Sequence, residues 1–342
     1  MERIAFFLPG GTPVYYRPVL IALGVASFVL MLLALCLLRG RKLLPILLSL
    51  PLAGAAAIYI GRILHWYCLS ENYASFRAAI GDLKNGGFSL VGAFAAVLLL
   101  ALALRVLRLE TDTGELLDDL GVALSLGIAS GRLGEFFGSA DRGKFILEDP
   151  FWHRLPFSAA VANPVSGAEE WRFATFCAQS LWCLLIFLVL MARVLCVKRP
   201  TAPARKRSAG DEFRLFLALY CVGQILLDST RYDALFLRSN GFVSFEQILC
   251  LVVLTILILF YGVRLYRFGG KKGRYLLGWG LYLGGLGLAG YMEYYVQRHG
   301  GEYALAYSLM AIGLLIVFVS LRTAASAVRG TADPGLEADI PG

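Results

Sequence analysis

The chemistry-bearing stretch of this 342-residue chain runs from Ile128 to Lys144 and reads IASGRLGEFFGSADRGK. Arg132 and Glu135 stand three residues apart at the end of an apolar run, a spacing that puts both on one helical face. An ionisable residue in a membrane segment is costly and marks a functional site by default. The planar guanidinium fork of Arg132 is well shaped to grip a phosphate, and the small Gly131 and Gly134 leave room for a headgroup near the backbone. A second constellation, Gln224, Asp228 and Arg231, has spacings of four and three and also shares one face. Asp228 is placed to neutralise Arg231 or Arg132. Each such pair, taken alone, serves equally well as a structural ion pair between packed helices.

The elements that must position these residues are membrane helices. The chain is 58% hydrophobic and 16% charged, with a mean hydropathy of +0.69, whereas a soluble domain is about half apolar and about a quarter charged. This composition implies a polytopic membrane protein. No removable signal peptide is expected at its start. A span takes about 20 apolar residues. On that rule the chain is an all-α helical bundle of about nine transmembrane helices, near 17–38, 43–64, 88–107, 118–137, 175–194, 213–230, 244–263, 275–295 and 303–322. The net charge of +8 is no nucleic-acid signal, because the basic residues cluster between apolar spans. Arg39, Arg41 and Lys42 follow the first span, Arg193 to Arg207 the fifth, and Arg264 to Arg274 the seventh. The positive-inside rule makes that face cytoplasmic, which puts the N-terminus outside and the C-terminus inside. The seven cysteines, Cys36, Cys177, Cys183, Cys221 and Cys250 among them, lie mostly in apolar runs. They have no metal-ligand spacing and suggest small core residues rather than a disulfide framework.

With this topology the polar residues converge. Arg62 falls at the outer end of span two, and Gly86, Gly87 and Ser89 at the outer start of span three. Arg132 and Glu135, then Gln224, Asp228 and Arg231, then Glu246 and Gln247 fall at outer span ends too. A polar cavity open to the outer leaflet accounts for that arrangement. The polar segment 139–172, with Pro150, Pro156 and Pro164, is expected as an arm or lid on the membrane surface, where Trp152 and Trp171 suit the interface. The basic loop Thr201–Gly210 sets topology or meets anionic headgroups. The tail 331–342 is expected to be disordered.

The stretch Gly131–Gly143 resembles the signature of the prolipoprotein diacylglyceryl transferases, Gly-Arg-x-Gly-Asn-Phe-x-Asn-x-Glu-x-x-Gly. Gly131, Arg132, Gly134, Phe136 and Gly143 fit it, while Glu135, Gly138 and Ala140 stand where the family has Asn, Asn and Glu. Further family-like motifs follow in order between about residues 5 and 265. Gly61-Arg62 resembles the end of the family's second span, and Gly86 to Ala93 its Gly-Gly-x-Ser-x-His-Gly-Gly. Gln179 to Trp182 resembles Glu-Ser-Leu-Trp, and Gln224, Asp228 and Arg231 resemble Arg-x-x-x-Glu-x-x-Arg. Glu246 to Cys250 resembles Gly-Gln-x-Leu-Ser, and Tyr16 matches an early family Tyr.

The resemblance implies an enzyme of the bacterial plasma membrane that moves a diacylglyceryl group from phosphatidylglycerol to the lipobox Cys of a prolipoprotein. It implies phosphatidylglycerol, the lipobox segment and the bilayer as partners, with no cofactor, no metal and no nucleic acid. Carried over residue by residue, it implies catalytic roles for Arg132, Glu135, Asp228 and Arg231. It implies substrate binding by Tyr16, Arg62, Gly86, Gly87, Ser89, Gly92, Gly131, Gly134, Gly143, Gln224 and Gln247. Val91 stands where the family has His, and valine accepts no proton. His65, His153 or Glu135 could take that role, and Glu135 could equally just neutralise Arg132. Residues 1–266 form the family-like core with the arm 139–172. Residues 267–330 add two further spans, in which Gly280 and Gly284 form a GxxxG packing face. The competing readings are a non-catalytic relative that binds phospholipid or prolipoprotein, and a transporter. The second is disfavoured, because no inverted repeat is visible and the polar residues gather at one face.

Overall fold

The structure, a computed structural model, describes residues 3–9, 11–81, 89–109, 112–138, 140–162, 167–197, 208–236, 241–267, 272–299 and 303–331. Gly86 and Gly87 lie outside the described residues. The chain divides into two compact units, residues 1–216 with 230–239, and residues 217–229 with 240–342.

The first unit opens with a hairpin, β1 (Ile4–Phe7) against β2 (Pro13–Tyr15), which leads straight into α1 (Tyr16–Leu38). Pro18 sits in the first turn of α1, where its missing N–H removes no helical bond. The helix stops at Gly40, whose φ of +69° is the left-handed conformation that glycine adopts freely. Two bonds close this end, Gly40 N–H to Leu37 O (3.1 Å) and Arg41 N–H to Cys36 O (2.9 Å), the pairing of a Schellman motif. Then come α2 (Leu43–Cys68, with Pro51 inside it), a 3₁₀ turn at Ser70–Asn72, the short α3 (Phe76–Gly81), α4 (Val91–Val106) and α5 (Thr113–Gly131). Asp112 caps α5, its side chain accepting Glu115 N–H at 3.0 Å. The end of α5 tightens into a 3₁₀ turn over Arg132–Phe137. The short α6 (Pro150–His153) and a second hairpin, β3 (Ser158–Ala162) with β4 (Glu169–Phe173), follow. Next are α7 (Thr175–Val197) and α8 (Asp211–Thr230), the latter divided between the two units. Within the first unit α1 packs on α5, α2 on α4, and α5 on α7.

The second unit holds the rest of α8 with α9 (Phe245–Arg267), α10 (Lys272–Arg298) and α11 (Tyr303–Thr331). The expected GxxxG face makes no close contact within the chain. Among the described residues outside its own helix turn no atom lies within 4 Å of a Cβ built on Gly280 or Gly284. Gly285 and Gly313 make the close crossing of α10 on α11 instead, where a Cβ on Gly285 would stand 2.6 Å from Gly313 O. The reason is register: Gly285 is one residue on from Gly284, about 100° around the helix.

The chain is mostly helical, and among the described residues seven helices are long and apolar enough to cross a membrane. The expected helices near 88–107 and 275–295 are present as α4 and α10, but neither is among the seven. α4 is apolar but only 16 residues long. Two hairpins modify the all-α expectation. β4 contains Glu169, Glu170 and Arg172, too polar for a span, and the hairpins satisfy their backbone by pairing. Several spans expose large apolar side chains, and Leu52 is three-quarters exposed. Such apolar faces suit lipid and disfavour water.

Candidate functional site

The site is built where the end of α5 passes under α1. A Cβ added to Gly24 would lie 2.5 Å from Gly131 Cα, so the two helices cross backbone to backbone. A Cβ on Gly134 would meet Arg17 O at 3.1 Å. α1 therefore lies against the backbone at both Gly131 and Gly134, on the side where a Cβ would point. This close approach brings Arg17 to Glu135. Arg17 Nε and Nη2 donate to Glu135 Oε1 at 3.2 and 3.0 Å. The expected pairing of Glu135 with Arg132 gives way to this one. The 3₁₀ turn places their spacing differently from an α-helix, and α1 supplies a nearer cation. Tyr16, beside Arg17, stacks on Phe137 with centroids 4.9 Å apart.

Beyond the turn, residues 141–147 lie between two neighbours. On one side Gly143 N–H donates to Phe173 O (2.7 Å) and Leu147 N–H to Trp171 O (2.7 Å). On the other, Lys144 N–H donates to Thr230 O (2.8 Å) and Tyr232 N–H to Arg142 O (3.0 Å). Gly143 forms a bridge with Arg231, and a Cβ there would stand 2.7 Å from Phe173 Cβ. These bonds fix Asp141, which has a φ of +57°, a left-handed conformation that Asp tolerates better than most residues.

Asp141 is the hub. Its Oδ2 accepts from Arg132 Nη1, and its Oδ1 pairs with Arg231 Nη2 at 2.7 Å. Arg231 Nε also reaches Asp233 Oδ1 at 3.1 Å, and Asp233 Oδ2 accepts the backbone N–H of Asp141 at 2.9 Å. Arg142 points another way. Its Nη2 donates to Glu135 O (3.0 Å) and Gly138 O (2.8 Å), and its guanidinium lies 4.7 Å from the Phe176 ring centroid. Burial alone would raise the Asp141 carboxyl. The guanidinium groups of Arg132, Arg231, Arg17 and Arg142 outweigh it and hold that carboxyl below the usual carboxylate range. Burial also lowers the Arg142 guanidinium, against the opposing charge of Glu135, Tyr232, Asp141 and Asp233.

The structure thus joins Arg132, Glu135, Gly143 and Arg231 in one neighbourhood of the first unit. It adds Arg17, Asp141, Arg142 and Asp233, which the sequence motifs did not single out. The signal for Asp141 was faint but present: a carboxylate one residue past Ala140, where the family pattern has Glu.

Other expected residues have different surroundings. Buried Arg62 donates from Nε to Ala79 O at 2.6 Å and lies over the Tyr73 ring. Gly61 and Gly92 let α2 and α4 cross closely, and Ser89 N–H donates to Gly61 O at 3.2 Å. His65 Nδ1 meets the Tyr73 hydroxyl at 3.1 Å. His153 stacks on Trp171 and contacts Leu147 O through Nε2 at 2.6 Å, which ties it into the arm. In the second unit Ser244 and Gln247 form a capping box at the start of α9. Ser244 N–H donates to Gln247 Oε1 (2.8 Å) and Gln247 N–H to Ser244 Oγ (3.1 Å). Gln247 Nε2 reaches Ile225 O at 3.1 Å, Gln224 Nε2 reaches Glu246 Oε2 at 2.8 Å, and the Ser244 hydroxyl donates to Asp228. These contacts hold α8 to α9.

A set of apolar helices with a buried arginine–carboxylate cluster at the end of one of them defines a multi-pass helical membrane protein with a polar site. Residues 3–263 match the sequence model of the prolipoprotein diacylglyceryl transferases, and the chain belongs to that family of membrane transferases. Three similar proteins carry the name phosphatidylglycerol–prolipoprotein diacylglyceryl transferase. That of Prochlorococcus marinus (strain MIT 9303) is 28% identical over 231 residues, covering 63% of this chain and 73% of its own. That of Clostridium botulinum (strain Langeland / NCTC 10281 / Type F) is 24% identical over 277 residues, 80% of this chain and 100% of its own. That of Bacillus cereus (strain B4264) is 26% identical over 285 residues, 81% of this chain and 96% of its own.

Proposed function

We propose that this chain transfers the diacylglyceryl group of phosphatidylglycerol to the thiol of a lipobox cysteine in a prolipoprotein, at the outer face of the bacterial plasma membrane. The observation that carries the reading is the pair of guanidinium groups, Arg132 and Arg231, held on the two oxygens of Asp141. A phosphate leaving group needs fixed cations where its charge develops, and preorganised donors supply this without reorganisation during the reaction. The second requirement is a proton acceptor. Arg17 holds Glu135 Oε1, while Glu135 Oε2 is buried without a hydrogen-bond partner among the described residues. In this reading Oε2 takes the thiol proton. The thiolate sulfur then bonds to the glycerol carbon that bears the phosphodiester oxygen. The carbon–oxygen bond breaks, and its electron pair leaves with glycerol phosphate.

Tyr16, Arg62, Ser89, Gly92 and Gly143, with Gly86 and Gly87, are assigned to substrate binding in this reading. Gln224, Asp228 and Gln247 belong to it by keeping α8 on α9. Residues 1–266 are the transferase core, and α10 and α11 are two further spans, nine in all. The Arg132 end faces outward, as the Lys/Arg clusters following α1, α7 and α9 favour. A cysteine at Ser208 should react with an impermeant reagent only after the membrane is opened; reaction in intact cells would reverse the orientation.

The deciding experiment gives the purified protein phosphatidylglycerol and a lipobox peptide. The expected result is one thioether-linked diacylglyceryl peptide per glycerol phosphate released, with Glu135→Gln slowed at least a hundredfold. A parent protein that folds, binds the peptide and yields neither product would overturn the reading.

A further inference from the structure

The cluster around Asp141 contains one guanidinium that meets no carboxylate directly among the described residues. Arg132 and Arg231 share Asp141, Arg231 also meets Asp233, and Arg17 meets Glu135. Arg142 is a further guanidinium beside them. It is 1% exposed, and among the described residues it makes no ion pair. Its Nη2 is committed to the carbonyls of Glu135 and Gly138. Its Nε and Nη1 are buried with no hydrogen-bond partner.

Buried donors in proteins are nearly always satisfied, and a buried cation needs an opposing charge. Two carbonyls and the face of Phe176 hold Arg142 in place, and the charges of Glu135, Asp141 and Asp233 act on it without an ion pair. An anion that enters the site would supply both an acceptor and the charge. Nε and Nη1 diverge toward different edges of the guanidinium plane, so one anion engages one edge. A phosphate ester has acceptor oxygens for such an edge and carries a negative charge.

We infer that Arg142 binds a phosphate ester, as a third arginine of the site beside Arg132 and Arg231. The inference rests on the transfer reading above and goes beyond it by adding Arg142 to the groups that meet the anion. Arg132 and Arg231, held on Asp141, present fixed cations to it, and Arg142 adds a buried donor that has no other partner. The ester has two sources, the intact phosphatidylglycerol headgroup and the departing glycerol phosphate.

The test uses the full chain in phosphate-free alkyl maltoside micelles, with the rise in thermal midpoint followed as either glycerol phosphate or phosphatidylglycerol is added. The parent should respond to at least one probe, and Arg142→Gln should need at least ten times more of that probe for the same rise. Weakening with phosphatidylglycerol alone assigns Arg142 to the intact headgroup, and weakening with glycerol phosphate alone assigns it to the leaving group. Parental affinity of Arg142→Gln for both probes, or no response by the parent to either, overturns the inference. Should Arg142→Gln fail to fold, Arg142→Lys decides. Lysine keeps the charge but cannot keep both carbonyl contacts and the anion contact, so its response should weaken several-fold. An undiminished response overturns the inference. A parent without transfer activity but with Arg142-dependent binding of glycerol phosphate would sink the transfer reading and leave this one standing.

Discussion

The two ends of α5 carry the same residue types and use them differently. They are separated by the length of the helix, about 28 Å at about 1.5 Å per residue. At the N-terminal end Asp118 accepts Gly210 N–H (2.9 Å) and Phe213 N–H (2.8 Å), so its carboxylate closes the start of α8. Asp119 lies 3.1 Å from Arg39 Nε and 3.5 Å from Arg41 Nε, both delivered by the Schellman turn that ends α1. At the other end Asp141 also sits between two arginines, but a third guanidinium beside it has no carboxylate of its own. The first cluster is a clamp whose charges serve the chain itself. The second has the form of a clamp with a buried guanidinium beside it whose Nε and Nη1 have no hydrogen-bond partner. Buried ion pairs are thus weak evidence of function until their charges are counted.

The largest effect that would break this comparison is expected from Asp141→Ala. It leaves Arg132 and Arg231 buried without their shared counter-ion, a loss of about 3–5 kcal/mol. Transfer of diacylglyceryl to a lipobox peptide should fall at least a hundredfold, and the thermal midpoint should drop. A variant with parental transfer would show that Asp141 is not the hub of the site.

A smaller and purely structural effect is expected at the opposite end. Asp118→Ala strips two backbone N–H groups of their acceptor, at roughly 1–3 kcal/mol for a buried unsatisfied group. The unfolding free energy read from a urea titration should fall by that amount, while phosphatidylglycerol affinity per folded molecule stays unchanged. An altered affinity in a fully folded sample would remove the distinction between the two ends.

What could be read from the sequence follows the same division. Long apolar runs announced the helices, because a span needs only length and composition. Arg132 was legible for the same reason, as a cation at the edge of an apolar run. The hub was not, because the family pattern has its Glu at Ala140 and the carboxylate stands at Asp141 instead. A left-handed backbone at Asp141 and the bonds pinning residues 141–147 turn that carboxylate onto the arginines. Arg17 and Glu135 are 118 residues apart and meet only because Gly24 and Gly131 let two helices touch. Gly92, Gly131 and Gly134, assigned to substrate by motif, also stand at close helix crossings, and a motif alone cannot separate that from a binding role. His65 and His153 were candidates by type, but each is engaged locally.

The smallest expected effect is a flat response to pH, and it tests the charge count at Asp141. An unfolded Asp titrates near about 3.9. In the fold, burial raises this carboxyl, but Arg132, Arg231, Arg17 and Arg142 lower it further and leave it below that value. The native state therefore binds this proton less readily than the unfolded chain does. The resulting stability is fully present above the unfolded value and disappears as pH falls through the folded one. The four guanidinium groups remain charged throughout the range, so they add no competing step. The difference in thermal midpoint between the parent and Asp141→Asn should accordingly stay constant from pH 8 to pH 5 and shrink only below about pH 4. Shrinkage between pH 7 and pH 5 would mean that burial outweighs the arginines, and that the cluster has fewer effective cations than its geometry indicates.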